Sequence, residues 1–220
     1  MRDQYAGDVS DYLKFSLLRA LVREQAPLAA EGAADRLLGI AWYYVPGDDG
    51  RPDGRHTEYL TDPLWRALDP GLHDGLRSLP ARSLAALEAA PIWPEATLFH
   101  RIPVPGRKQR QVWHAAKAEF LDTADLLFLD PDNGIAAAGG AAGPKHTSMA
   151  EIAALRRTGR CLVIITFPGR RPHAELVDEL HHRLRTEAGA SAVAALRTNV
   201  CVPSAPGENV CFSKLRRTTE

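Results

Sequence analysis

The chain has 220 residues, 45% of them hydrophobic and 25% charged, proportions that exclude a disordered, collagen-like or coiled-coil protein. Its 27 basic and 27 acidic residues cancel, which argues against nucleic-acid binding by bulk electrostatics, because counterion release needs a basic surface. The cancellation hides an asymmetry: residues 1–75 hold 8 Lys and Arg against 13 Asp and Glu, whereas residues 76–220 hold 19 against 14.

The first predicted element is a helix from Asp8 to Gln25, capped by Asp8 or Ser10, with Tyr12, Phe15, Leu18 and Val22 at helical spacing. Residues 37–45 form a short aromatic-rich apolar run stopped by Pro46-Gly47, which predicts a buried strand. A polar, glycine-rich loop then runs to Pro63. Residues 64–68 and 76–90 read as helices bounded by prolines, 96–102 as a strand and 108–122 as a helix. Residues 125–130 are a strand ending sharply at Pro131. A helix over 149–158, a buried strand over 161–167 and a helix over 173–187 follow. Two late strands, 192–198 and 209–214, flank a proline-glycine turn. Cys161, Cys201 and Cys211 sit in apolar runs and read as reduced core residues. No apolar run is long enough to span a bilayer, and the acidic start lacks the basic and apolar regions of a signal peptide. A cytoplasmic protein with no membrane partner is expected.

Alternating strands and helices predict an α/β, three-layer Rossmann-like architecture: a mostly parallel sheet with a C-terminal antiparallel hairpin on its edge, as in class I methyltransferases. The whole chain, 1–220, reads as a single domain with an inserted loop and helical segment around 46–95. Ligands in such folds bind beyond the carboxyl ends of the strands. Chemistry is therefore expected just after Val45, Asp130 and Phe167.

The strongest local signal is Leu129-Asp130-Pro131-Asp132-Asn133-Gly134. Two carboxylates and an amide crowd the end of a buried strand, where unpaired charge is costly. Three readings stay open: an ordinary turn, a polar clamp in which Asp130 accepts from an exocyclic amine while Asn133 orients the substrate, and a Mg²⁺ site with Asp130 and Asp132 as ligands. A second signal is the loop Gly47-Asp48-Asp49-Gly50, whose glycines permit close backbone approach and whose acids accept from hydroxyl or amino groups rather than phosphate. A third is Gln4 to Phe15, where periodicity alone takes Lys14 as snorkelling to solvent. Phe167 to His173 brings Arg170 and Arg171 after a strand, beside Phe167. Arg101, Arg107, Lys108, Arg110 and Lys117, with Trp113 and His114 interleaved, read either as phosphate contact with base stacking or as a charged helix face.

Gln4–Lys14, Asp48–Leu60 and Leu129–Ile135 together resemble a broad set of uncharacterised bacterial proteins sharing an L-D-P-D-N-G-I strand end. More remotely, the layout resembles the J-type methyltransferases that methylate N6 of an adenine in large-subunit ribosomal RNA. Ala6–Phe15 is similar to that family's A-G-N-x-x-D-x-L-K-H start, Thr57–Leu60 to its G-E-Y-L, and Asp130-Pro131-Asp132-Asn133 stands where its catalytic D-P-P-Y lies. The resemblance implies an S-adenosylmethionine pocket near Lys14, Gly47, Asp48 and Gly50, and Asp130 polarising the target amine. Asn133 replaces the stacking tyrosine, so a flipped base would need Phe167 or Trp113 as its platform, and Phe15 replaces a histidine. The expectation is an S-adenosylmethionine-dependent methyltransferase-like enzyme acting on an amino-bearing substrate, with a nucleobase or nucleic acid as one candidate. The alternatives are a Mg²⁺-dependent nuclease or hydrolase and a non-catalytic protein of the same fold.

Overall fold

The computed structural model describes residues 1–24, 36–47, 50, 54, 56–167 and 171–196. Four strands, β1 (Leu38–Ala41), β2 (Leu98–His100), β3 (Leu126–Leu129) and β4 (Cys161–Ile164), form one parallel sheet in the order β2-β1-β3-β4. Every ladder is parallel, with Ile40 beside both Phe99 and Phe128, and Phe128 beside Val163. A chain that moves from β1 to β2 and then returns to the far side of β1 reverses its winding between β1 and β3. That reversal opens a crevice at their carboxyl ends.

Helices cover both faces. Helix α1 (Val9–Glu24) brings Tyr12, Phe15 and Leu18 onto Leu38, Ile40, Trp42, Leu126 and Phe128. The crossover from β1 to β2 adds α2 (Pro63–Leu68), α3 (Pro70–Arg77) and α4 (Leu84–Ala89); Leu72, Leu76, Leu84 and Leu87 join the same core. On the other face, α5 (Arg110–Phe120), α6 (Met149–Ala154) and α7 (His173–Thr186) pack Trp113, Met149, Ile152 and Leu180 against Ala41, Leu127 and Leu129. The alternation of strand side chains between the two cores is the period-2 signature of a sheet buried on both sides.

Several boundaries differ from expectation, each with a local cause. The first strand stops at Ala41 because Tyr43 takes a left-handed φ of 45°, which breaks the extended run. The helix expected over 76–90 is two helices. Asp69 caps α3 by accepting from Leu72 N–H, with Pro70 in the first turn, and Ser83 caps α4 by accepting from Ala86 N–H. Two separate caps start two separate helices. Residues 192–196, where the first hairpin strand was expected to begin, are irregular; 197–198 and 209–214 lie outside the described residues, as do Cys201 and Cys211. Cys161 is a free, half-buried thiol. Among the described residues, no helix is long and apolar enough to cross a membrane.

Candidate functional site

Leu129 ends β3, and Asp130 still donates its N–H to Ala41 O at 3.0 Å before Pro131, lacking a donor, leads the chain away. The Asp130 side chain is buried just beyond the carboxyl end of β3, beside the winding reversal, its residue 2% exposed. Lys14 reaches it from α1, with Nζ 3.1 Å from one carboxylate oxygen and 3.3 Å from the other. Lys14 also lies 3.2 Å from Asp11 Oδ1, while Asp11 Oδ2 accepts from Gly7 N–H at 2.9 Å. Asp8 folds over the start of α1, accepting from the backbone and hydroxyl of Ser10. Lys14 therefore does not snorkel to solvent, as its helical period alone implied. Two acids within ion-pair reach, on α1 and β3, hold it inside.

The charges in this cluster set one another. Burial pushes the Asp11 carboxyl up to about 7, against the pull of Lys14 and with help from Asp8 and Asp130. Burial also disfavours the Lys14 cation, but Asp130, Asp11 and Asp8 outweigh it and hold the ammonium above its ordinary value. Fixed charge surrounded by opposite charge in a low-dielectric site is the arrangement expected where a reaction develops charge.

Asp132, two residues on, faces a different cation. The amino terminus of Met1 lies 2.5 Å from Asp132 Oδ1 and also donates to Tyr43 O at 3.0 Å. Asp132 Oδ2 has no hydrogen-bond partner among the described residues, with Lys145 Nζ at 3.8 Å and Arg2 Nε at 4.0 Å. Asn133 is held by its backbone, donating to Lys145 O at 2.8 Å. Gly134 has a φ of 83°, and a Cβ there would stand 2.6 Å from Thr166 Cα. Glycine is required on both counts. That approach places the exit of β4 against the D-P-D-N-G turn, so Phe167, 50% exposed and next in the chain to Thr166, stands at the same edge.

Gly47 and Gly50 adopt φ of 88° and 70°, and nothing lies within 4 Å of where a Cβ would be. Among the described residues, nothing crowds the Cβ side of these two glycines. Gly47 O accepts from Arg2 at 2.8 Å. Asp48 and Arg170, both expected at the site, lie outside the described residues; Arg171 pairs with Glu179 at 2.6 Å. Trp113 is a core residue in this conformation: its indole N–H donates to Ile102 O, and its ring meets Tyr43 and His100 edge-on. Among the described residues, no group of three or more His, Cys, Asp or Glu side chains is placed to hold a metal ion. Asp130 and Asp132, the candidate ligands, each contact a separate cation.

Sequence reasoning missed a second buried network across the sheet. The Tyr43 hydroxyl accepts from Lys117 Nζ at 2.7 Å, donates to Glu151 at 3.0 Å and lies 2.7 Å from Thr147 Oγ1. Arg110 forks onto Glu151 at 2.6 and 3.1 Å. Lys117 Nζ also lies 4.0 Å from the Tyr43 ring centre and 4.4 Å from that of Trp113, a cation–π arrangement. Burial, with Arg110 adding and Glu151 opposing, pushes Lys117 down to about 7. The stretch from Arg101 to Lys117 is therefore no single basic stripe: Arg101 pairs with Glu88, and Arg110 and Lys117 are interior. Two signals in the sequence pointed here. Lys117 shares the apolar face of Trp113 at i+4, and Ser148-x-x-Glu151 is a capping box.

No known protein family, curated protein or solved structure matches the chain.

Proposed function

We propose that this chain is an S-adenosylmethionine-dependent, methyltransferase-like enzyme that transfers a methyl group to an amino-bearing substrate, and that it belongs with the J-type methyltransferases it remotely resembles. The fold this implies is the class I methyltransferase sheet, of which the four described strands would be adjacent members. One observation carries the reading: Lys14 from α1 and Asp130 from β3 meet at the winding reversal between β1 and β3, where folds of this kind bind their ligands.

The uncrowded Cβ side of Gly47 and Gly50 fits a cofactor laid across the end of β1. Bound there, S-adenosylmethionine would supply an electrophilic methyl group. Asp130 accepts a hydrogen bond from the attacking amine and offsets the positive charge that grows on its nitrogen. Lys14 orients the Asp130 carboxylate and keeps it from turning away. Asn133 positions the substrate, and Phe167 offers an exposed ring for a planar one to stack on.

Isothermal titration of S-adenosylmethionine tests the reading. Wild type and Asp130→Asn are both expected to bind, with only wild type transferring labelled methyl groups to amino-bearing nucleosides and oligonucleotides. Absence of heat and of a thermal shift at millimolar cofactor would overturn it. Equal transfer by the two proteins would remove Asp130 from the chemistry.

A further inference from the structure

Beyond the carboxyl ends of β1 and β2 lies a cavity of about 410 Å³, walled by Val45, Val104, Pro105 and Pro144 and flanked by Arg107 and Arg110. Its volume falls within the range of small-molecule sites. Among the described residues, its lining holds two guanidinium groups and no carboxylate.

The two arginines have different work. Arg110 has its donors occupied: Nε and Nη2 by Glu151, Nη1 by Gly143 O at 2.8 Å and Ala142 O at 3.4 Å, and Nη2 again by His146 O. It holds the 142–146 loop as a wall of the cavity and has no N–H left for a ligand. Arg107 is exposed, at the start of the turn that leads into α5, and has no hydrogen-bond or ion-pair partner among the described residues. The nearest arginines in the chain behave otherwise: Arg101 and Arg110 both pair with carboxylates. A planar fork with no side-chain partner among the described residues, at the rim of an apolar cavity, matches the bidentate geometry of phosphate.

The segment leaving β2 strengthens the point. From His100 to Arg110 it reads H-R-I-P-V-P-G-R-K-Q-R, without a single acid. In dinucleotide-binding sheets, an acid at this place receives the ribose 2′-hydroxyl and an arginine nearby accommodates a 2′-phosphate; a basic segment without acids is suited to the phosphate rather than the hydroxyl.

We infer that this cavity binds a small phosphate ester, its apolar body against Val45, Val104 and Pro105 and its phosphate on Arg107. The cavity shares the end of β1 with the proposed cofactor site, through Val45 beside Gly47, but the inference is argued from the cavity and its charge and does not rest on the methyl-transfer reading.

Calorimetric titration of ADP and of adenosine at low salt, against wild type and Arg107→Gln, isolates the phosphate contribution. Wild type should prefer ADP by about tenfold or more, the scale of one charge-assisted bond pair. The preference should shrink as salt is added, and Arg107→Gln should bind the two ligands equally. Adenosine binding as tightly as ADP, failure of wild type to bind ADP at millimolar concentration, or survival of the preference in Arg107→Gln would each overturn the inference. Asp130→Asn should retain the ADP preference. A wild type that prefers ADP yet ignores S-adenosylmethionine would sink the methyl-transfer reading and leave the cavity assignment intact.

Discussion

Lys14 and Lys117 are both held inside the fold at the carboxyl edge of the sheet, one under each helical layer, and their charges are managed in opposite ways. Lys14 touches two carboxylates, Asp11 and Asp130, and its cation is favoured despite burial. Lys117, 0% exposed, contacts a phenol and two aromatic rings; the nearest acid, Glu151, is already engaged by Arg110. The first cluster is built on the Lys14–Asp130 ion pair, with Asp11, raised to about 7, beside it. The second is a hydrogen-bonded knot in which Lys117 makes one bond, to the Tyr43 hydroxyl, and its charge is optional. Buried charge is tolerated in both, but only the first needs its cation to stay charged.

The largest difference between the two should appear when each lysine is removed. Lys14→Met leaves Asp11, 0% exposed, and Asp130, 2% exposed, without a contacting cation. Stranding buried carboxylates should cost about 3–5 kcal/mol in urea unfolding, and adding Asp130→Asn should recover part of it. A loss below about 1 kcal/mol would mean that the carboxylates are hydrated or protonated, and the contrast with Lys117 would vanish.

How much of this was readable in the sequence depends on whether a feature was contiguous. The four strands were found because each is an apolar run with a breaker after it, and Asp130, Asp132 and Asn133 were found because turn chemistry and charge coincide in one short segment. Lys14 was assigned to solvent because a helical period cannot see Asp130, 116 residues away. The knot of Tyr43, Arg110, Lys117, Thr147 and Glu151 was missed for the same reason, although Lys117 on the face of Trp113 and the Ser148–Glu151 capping box each pointed to a part of it. No segment shows the whole of it, and only tertiary packing brings the three segments together. The left-handed Tyr43, which ends β1 early, is likewise held by side-chain partners from α5 and α6 that no local rule contains.

Gly134 joins the two clusters, and replacing it measures how far they depend on each other. Its carbonyl accepts from Thr147 N–H at 3.0 Å, and Thr147 lies against Tyr43 in the knot, while Asp130 and Asp132 precede it in the turn. Gly134→Ala combines a left-handed φ with a clash against Thr166, for an expected loss of about 2–4 kcal/mol. If the clusters are coupled through this turn, the loss in a Lys14→Met background should fall short of the sum of the single losses. Strict additivity would show that the turn transmits nothing between them.

The smallest effect is the most diagnostic, because it depends on pH. The Lys117 amine falls from an ordinary 10.5 to about 7 on folding, so between those values the unfolded chain holds the extra proton. Stability should rise with pH across that window, by about 1–2 kcal/mol between about pH 7 and 8.5. Below it, opposing trends overlap. His100 and His114, pushed down to about 4 by burial and by Lys117, make stability rise with pH, whereas Asp11, pushed up to about 7, makes it fall. The Met1 amine, lowered by burial against Asp132 and Asp130, adds a rise of its own toward pH 8. The difference between wild type and Lys117→Met at each pH cancels Asp11 and the Met1 amine; His100 and His114, relieved of the Lys117 charge, move up and favour the variant further at the acid end. Methionine keeps the apolar stem and removes the charge, so the variant should gain on wild type at pH 6 and lose that advantage by about pH 9. A variant equally destabilised at both pH values would show that Lys117 is charged throughout and that Glu151 serves it as a counterion, as Asp130 serves Lys14.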